Sequence, residues 1–240
     1  MITPLTEPLQ DNGELVRKSF VEHLEDLRKA IWWSILFYVI ALIISMPLVP
    51  HILHLLQYPL VWAEAGYIDK LKFFKITDGF SVFIYIAGWT ALVIASPLIL
   101  AAILWFIFPA FRRNERKVFV GIVAASIVFF VTGIFLAYRW VLPVGLKWLV
   151  LLNQWLGIEA FFQVEHYLKF ITNGMIAFGI AFQIPVVVVI LGYIGIISSD
   201  QLRKTRRYAI VAIMALAMIL TPPDPLTMIL LSIPLIIIHE

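Results

Sequence analysis

The sequence predicts an all-α membrane protein that crosses the bilayer several times, and three observations carry that prediction. Of 240 residues, 62% are hydrophobic and only 14% charged, against roughly a quarter charged in an ordinary soluble domain. The mean hydropathy of +0.97 leaves too few polar side chains to cover a water-soluble fold of this length. Apolar runs of about twenty residues recur, the length a helix needs to cross ~30 Å of hydrocarbon. The runs are continuous rather than alternating, so helices are expected and not the strands of a barrel. A soluble enzyme, a nucleic-acid binder and a disordered chain are excluded at this step.

Six spans are expected, at about 31–50, 80–108, 118–142, 167–197, 208–220 and 226–240. Residues 1–18 read as a cytoplasmic tail, and 19–240 as one transmembrane domain. No internal repeat is visible, which removes the usual signature of an inverted-repeat transporter. The first thirty residues are largely polar and hold no short basic leader, so a cleaved signal peptide is not expected.

Lys and Arg give the orientation. Arg17, Lys18, Arg28 and Lys29 precede the first run, and Arg112, Arg113, Arg116 and Lys117 separate the second from the third. Arg203, Lys204, Arg206 and Arg207 separate the fourth from the fifth. Twelve of the eighteen basic residues therefore occupy alternate connections, while Lys70, Lys72, Lys75, Arg139, Lys147 and Lys169 are spread over two longer loops opposite. The positive-inside rule then places both termini in the cytoplasm. The last two runs hold 13 and 15 residues, or ~20 Å of helix, too short for the hydrocarbon without local thinning or partner helices. Thr221-Pro222-Pro223-Asp224-Pro225 between them cannot be helical throughout. The sequence stops at Glu240 inside the sixth run, so a charged cytoplasmic tail is expected to have been trimmed from that end.

Ser19 followed by Glu22 is a capping-box pattern, so a helix is expected to start there and run into the first span. Phe20, Leu24, Leu27 and Ile31 share one apolar stripe, and Glu22, Glu25, Asp26 and Lys29 the polar face. That face reads either as a solvated one with pairs such as Glu25–Lys29 or as an acidic docking surface for a basic peptide. Glu115, among Arg112, Arg113, Arg116 and Lys117, is an ordinary salt-bridge partner or a carboxylate open to a guanidinium. Gln183 and Asn173 are the intramembrane polar groups of the fourth span. Gln183 beside Pro185 serves either a helix–helix hydrogen bond or a role in substrate passage or partner docking. Asp224 fits a helix cap.

The chain has no cysteine, hence no disulfide, thiolate nucleophile or Cys-ligated metal. Among His23, His51, His54, His166 and His239 only His51 and His54 are close in sequence, and no metal site is expected. No phosphate loop, paired intramembrane Asp, His-Glu-x-x-His or Gly-x-Ser-x-Gly occurs. By exclusion the chain is a binding, scaffold or permeation protein without a cofactor. A small-solute secondary transporter is the alternative from another class, with only Gln183, Asn173 and Pro185 to build its midplane pocket.

Nine short motifs in order carry a resemblance. They are HLEDLR at 23–28, LLQYPL at 55–60, SPLIL at 96–100, FPAFRRNER at 108–116 and GIFLAYRWVLP at 133–143. FGIAFQIPV at 178–186, SSDQLRKTRRY at 198–208, TPPDP at 221–225 and IPL at 233–235 complete them. Together they resemble the TatC family, the multispanning receptor subunit of the twin-arginine protein translocase, over roughly residues 19–240. The resemblance implies a cup-shaped six-helix protein of the cytoplasmic (inner) membrane that binds signal peptides bearing two arginines. It implies export of folded proteins by the proton motive force, with TatA/TatB-type single-span partners, and oligomerisation within that complex. No nucleic acid is involved; the other contact is membrane lipid.

Signal recognition in the family falls, in this sequence, on His23, Asp26, Leu27, Arg28, Phe106 and Glu115, with Glu22 and Glu25 as a supporting acidic face. Pro59 and Asp224 are its structural or functional positions on the outer side. Where the family usually has Glu, this chain has Asp26, one methylene shorter, and where it often has a buried Glu, this chain has Gln183. The neutral amide is cheaper to bury and relays no proton, so proton transfer there is not expected. The short fifth and sixth spans are the expected docking faces for the partner helices.

Overall fold

The computed structural model describes residues 20–63, 65–107, 116–157 and 161–193, and then 210–211, 214–215, 218, 228–230, 232–234 and 236. Helix α1 (Phe20–Ser45) passes through a 3₁₀ turn (Met46–Leu48) into α2 (Val49–Ala63). A second 3₁₀ segment (Ala65–Lys70) and strand β1 (Leu71–Lys72) lead to α3 (Asp78–Ile107). Helix α4 (Arg116–Leu136) runs through a π-helical turn (Ala137–Val141) into α5 (Leu142–Trp155). Strand β2 (Phe162–Gln163), α6 (Val164–Ala181) and α7 (Ile184–Tyr193) follow. Phe20 and Glu22 are helical, while Ser19, the expected cap, lies outside the described residues.

Among the described residues four stretches are long and apolar enough to cross a membrane: Leu24–Ala63, Asp78–Phe106, Lys117–Trp155 and Val164–Gly192. They overlap the first four expected spans, ending at Phe106 and Gly192 where 108 and 197 were expected, and two further differences stand out. The two connections expected as long loops are largely helical, because α2 and α5 continue where the spans at 31–50 and 118–142 were expected to end. The fourth span, expected unbroken over 167–197, begins at Val164 and is interrupted at Phe182 and Gln183. The residues described within 208–220 and 226–240 are helical; the TPPDP turn lies outside the described residues.

Prolines do not break these helices because other groups take over the bonds that they cannot make. Pro59 lacks the N–H that would bond the Leu55 carbonyl, and the Tyr138 hydroxyl donates to that oxygen at 2.7 Å. The next carbonyl, of Leu56, accepts the buried Tyr167 hydroxyl at 2.7 Å. Pro97 frees the Val93 carbonyl, which accepts Ser96 Oγ at 2.7 Å. Pro143 sits in the first turn of α5, where no N–H is required, and the π turn ahead of it closes with Leu142 N–H on the Ala137 carbonyl.

The principal core joins α2, α3, α5 and α6 around Leu56, Leu60, Ile86, Leu142, Leu168 and Phe178. A smaller one joins α3, α4 and α7 around Leu104, Ile122, Val186 and Ile190. Helices α4 and α6 cross closely on glycine: a Cβ at Gly133 would lie 2.7 Å from the Phe178 carbonyl oxygen, and one at Gly179 would lie 2.8 Å from the Phe130 ring. Small residues at a crossing are how membrane helices gain packing where lipid removes the hydrophobic drive.

β1 and β2 pair in parallel, Leu71 with Phe162 and Lys72 with Gln163. Beside them the buried Asp78 carboxylate accepts the Phe74 and Lys75 N–H groups at 3.0 Å each and Gln163 Nε2 at 3.4 Å. The connection before α3 is thereby tied to the one before α6.

Candidate functional site

α1 and α3 pack antiparallel. Ser45 Oγ donates to the Ala87 carbonyl at 2.8 Å, and Ala41 packs with Ala91 and Ala95 further along. Carried residue for residue along both helices, this register brings Asp26 level with Phe106. The first turns of α1 and the last turn of α3 thus end at one face, next to the connection 108–115. At that face Asp26, Leu27 and Phe106 are half-buried, and Glu25 and Arg28 are exposed. Leu24 and Ile31, expected in an apolar stripe with Leu27, are exposed, so the stripe is covered only in part among the described residues. Glu22 and His23 fall in α1 with their side chains outside the described residues, and Glu115 and Asp224 lie outside them altogether.

Pro59 belongs to the opposite end of the molecule. It is buried in α2 within the tyrosine bridge described above. The sequence held both partners in separate motifs, LLQYPL and GIFLAYRWVLP, but nothing in either indicated that Tyr138 would answer Pro59. Nothing in the sequence marks Asp78, since an Asp before an apolar run reads as loop or cap.

Gln183 takes the helix–helix bond of its two readings. Ser126 Oγ donates to its Oε1 at 2.6 Å, and its Nε2 donates to the Ser126 carbonyl at 2.9 Å. Both polar ends of the amide are satisfied across α4 and α6, at the interruption between α6 and α7. Asn173, exposed on α6, accepts the Tyr85 hydroxyl at 3.3 Å, while Tyr85 and Thr172 hydroxyls lie 2.6 Å apart. Trp89 Nε1 donates to the Thr172 carbonyl at 3.2 Å, completing a polar seam between α3 and α6. The two amides thus belong to two seams and form no common pocket. Among the described residues no cluster of His and carboxylates suits a metal ion, and His51 and His54 are exposed on α2.

The family model for Sec-independent protein translocase protein (TatC) matches residues 22–234. The chain belongs to the TatC family. It is 34% identical to the Sec-independent protein translocase protein TatC of Synechocystis, over 90% of this chain and 83% of that one. With the TatC protein of Carboxydothermus hydrogenoformans it shares 35% identity, over 91% and 88%. A crystal structure of the twin-arginine translocase receptor TatC in DDM superposes with a TM-score of 0.79 at 32% identity, covering 91% of this chain and 96% of that one. Family membership makes the chain a multi-pass membrane subunit of the Tat translocase and not an enzyme. The secondary-transporter alternative falls with it.

Proposed function

We propose that this TatC-family chain is the receptor for twin-arginine signal peptides and the core subunit of its translocase. The observation that carries the reading is the antiparallel α1–α3 register, which sets Asp26 and Leu27 level with Phe106 at the face where the 108–116 connection begins. Asp26 supplies one carboxylate for a guanidinium and Glu115 the second. Leu27 and Phe106 offer apolar surface to the residues that follow the arginine pair. His23 and Arg28 flank the seat, and Glu22 and Glu25 extend its negative field. Each bidentate Arg–carboxylate pair is charge-assisted and contributes roughly 1.5–3 kcal/mol. The planar fork accounts for a preference for Arg over Lys, which meets a carboxylate as a point charge.

On this reading the chain has six spans in a cup, both termini in the cytoplasm and the inner membrane as its place. The alternating basic connections support the orientation. Single-span TatA/TatB-type partners dock on the short fifth and sixth spans, oligomers form within the complex, and the proton motive force drives the export of folded cargo. The test is binding of a synthetic signal peptide to the detergent-purified protein, Arg-Arg against Lys-Lys. A clear Arg-Arg preference that is lost in Asp26→Ala and in Glu115→Ala is the expected result. Equal, weak binding of both peptides would sink the receptor assignment.

A further inference from the structure

The π turn that absorbs Pro143 carries two side chains to α2. Tyr138 donates to the Leu55 carbonyl, and Arg139, next to it, lays its guanidinium 4.5 Å from the centre of the Trp62 ring. Trp62 is itself held edge-on by Tyr138 at 5.4 Å and stacked on Tyr58 at 6.0 Å. The guanidinium is therefore braced on an aromatic wall. Arg139 is exposed, and among the described residues no carboxylate reaches it. Asp78 is committed to the β1–β2 latch, and Glu165 is bonded to Lys169 at 2.6 Å.

The surroundings say what meets this cation. Tyr58, Trp62, Trp140 and Phe135 are all exposed around it, and Phe135 packs edge-on against Trp140 at 5.9 Å. From Arg116 to Arg139 the helix rises ~35 Å, which sets Arg139 at headgroup depth in the leaflet opposite the Arg116 end. Exposed Tyr and Trp are the residues that populate this depth. We infer that Arg139, braced on Trp62 and Tyr58, is a seat for the phosphate of one anionic glycerophospholipid. A zwitterionic headgroup fits less well, since its own ammonium offsets the negative charge that the guanidinium attracts. The acyl chains would lie along the exposed apolar face of α4 that leads to it through Val131 and Val128.

Native mass spectrometry of the full chain in detergent, titrated with phosphatidylglycerol, phosphatidylcholine or glycerol phosphate, tests the seat. One phosphatidylglycerol adduct is expected to be held about tenfold more tightly than phosphatidylcholine, with glycerol phosphate alone not retained. Arg139→Gln is expected to weaken that adduct by about tenfold or more, the loss of a charge-assisted fork. Arg139→Lys should lie between, and Trp62→Leu should cost about two- to fivefold, the worth of the cation–π brace. Each variant is compared at equal helical content and unfolding midpoint. An adduct unchanged in Arg139→Gln, or equal retention of phosphatidylcholine, would overturn the proposal. Equally tight binding of glycerol phosphate would overturn it too, by making Arg139 a general anion site.

Discussion

The two ends of this molecule are held together differently. Where α2 meets the π turn, α5 and α6, side-chain hydroxyls bond specific carbonyls, the buried Asp78 gathers three N–H groups, and the largest core lies beneath. By contrast, α1 meets α3 through the alanines at 41, 91 and 95 and two polar contacts, from Tyr38 and Ser45, all in its second half and away from Asp26. Ile31, Trp32, Trp33, Ile40 and Ile43 of α1 are exposed. In lipid an exposed apolar helix face costs nothing, so the α1–α3 seam needs only small residues to close. The other end carries Pro59 inside α2, whose freed carbonyl must find a substitute bond because lipid offers none. One end is thus specified by polar pairs, and toward the other α1 presents exposed apolar surface.

Substitutions at the two ends should separate accordingly. The largest effect is expected at the α4–α6 crossing on the specified side: Gly133→Ala drives a methyl into a backbone carbonyl and should destabilise by about 3 kcal/mol. Gly121→Ala on the same helix meets nothing within 4 Å and should stay within about 0.5 kcal/mol. Unfolding midpoints of the two detergent-solubilised variants check the pair; equal losses would mean that the crossing is looser than described.

Next comes the tyrosine bridge. Tyr167→Phe leaves the buried Leu56 carbonyl without its hydroxyl donor and should cost about 2 kcal/mol. Tyr138→Phe should cost about 1 kcal/mol, and less once Pro59→Ala restores a backbone N–H for Leu55. A double-mutant cycle with no coupling between positions 59 and 138 would disprove the explanation given for that proline.

Asp78→Ala should loosen the latch locally. Amide exchange at Phe74 and Lys75 is expected to rise about tenfold while the α1–α3 seam is unchanged. Uniform acceleration along the chain would instead mean that the latch governs global stability.

The smallest effect belongs to Gln183. Removing its hydrogen bonds in Gln183→Leu should cost about 0.6 kcal/mol, the usual worth of such a pair between membrane helices. Ser126→Ala should remove the hydroxyl donor at similar cost. Export of a twin-arginine reporter should persist in Gln183→Leu, since the wild-type pair carries no titratable proton. Loss of export at normal stability would give the position a part in coupling.

By itself the sequence determined the helical class and the four longest spans, because every backbone group in hydrocarbon must bond within its own segment and the apolar runs show where that happens. It also determined the family, since nine motifs stand in order from His23 to Leu235. Tertiary structure decided what no local pattern encodes. Pro59 reads as a stop until Tyr138, from a segment far along the chain, takes the carbonyl that it frees. Gln183 reads equally as transport group or packing group until Ser126 of α4 meets both ends of its amide. Asp26 and Phe106 become neighbours in level only through the alanine seam between α1 and α3. Each of these depends on a bond or register between distant segments, and the physics of one helix places no condition on which helix lies beside it.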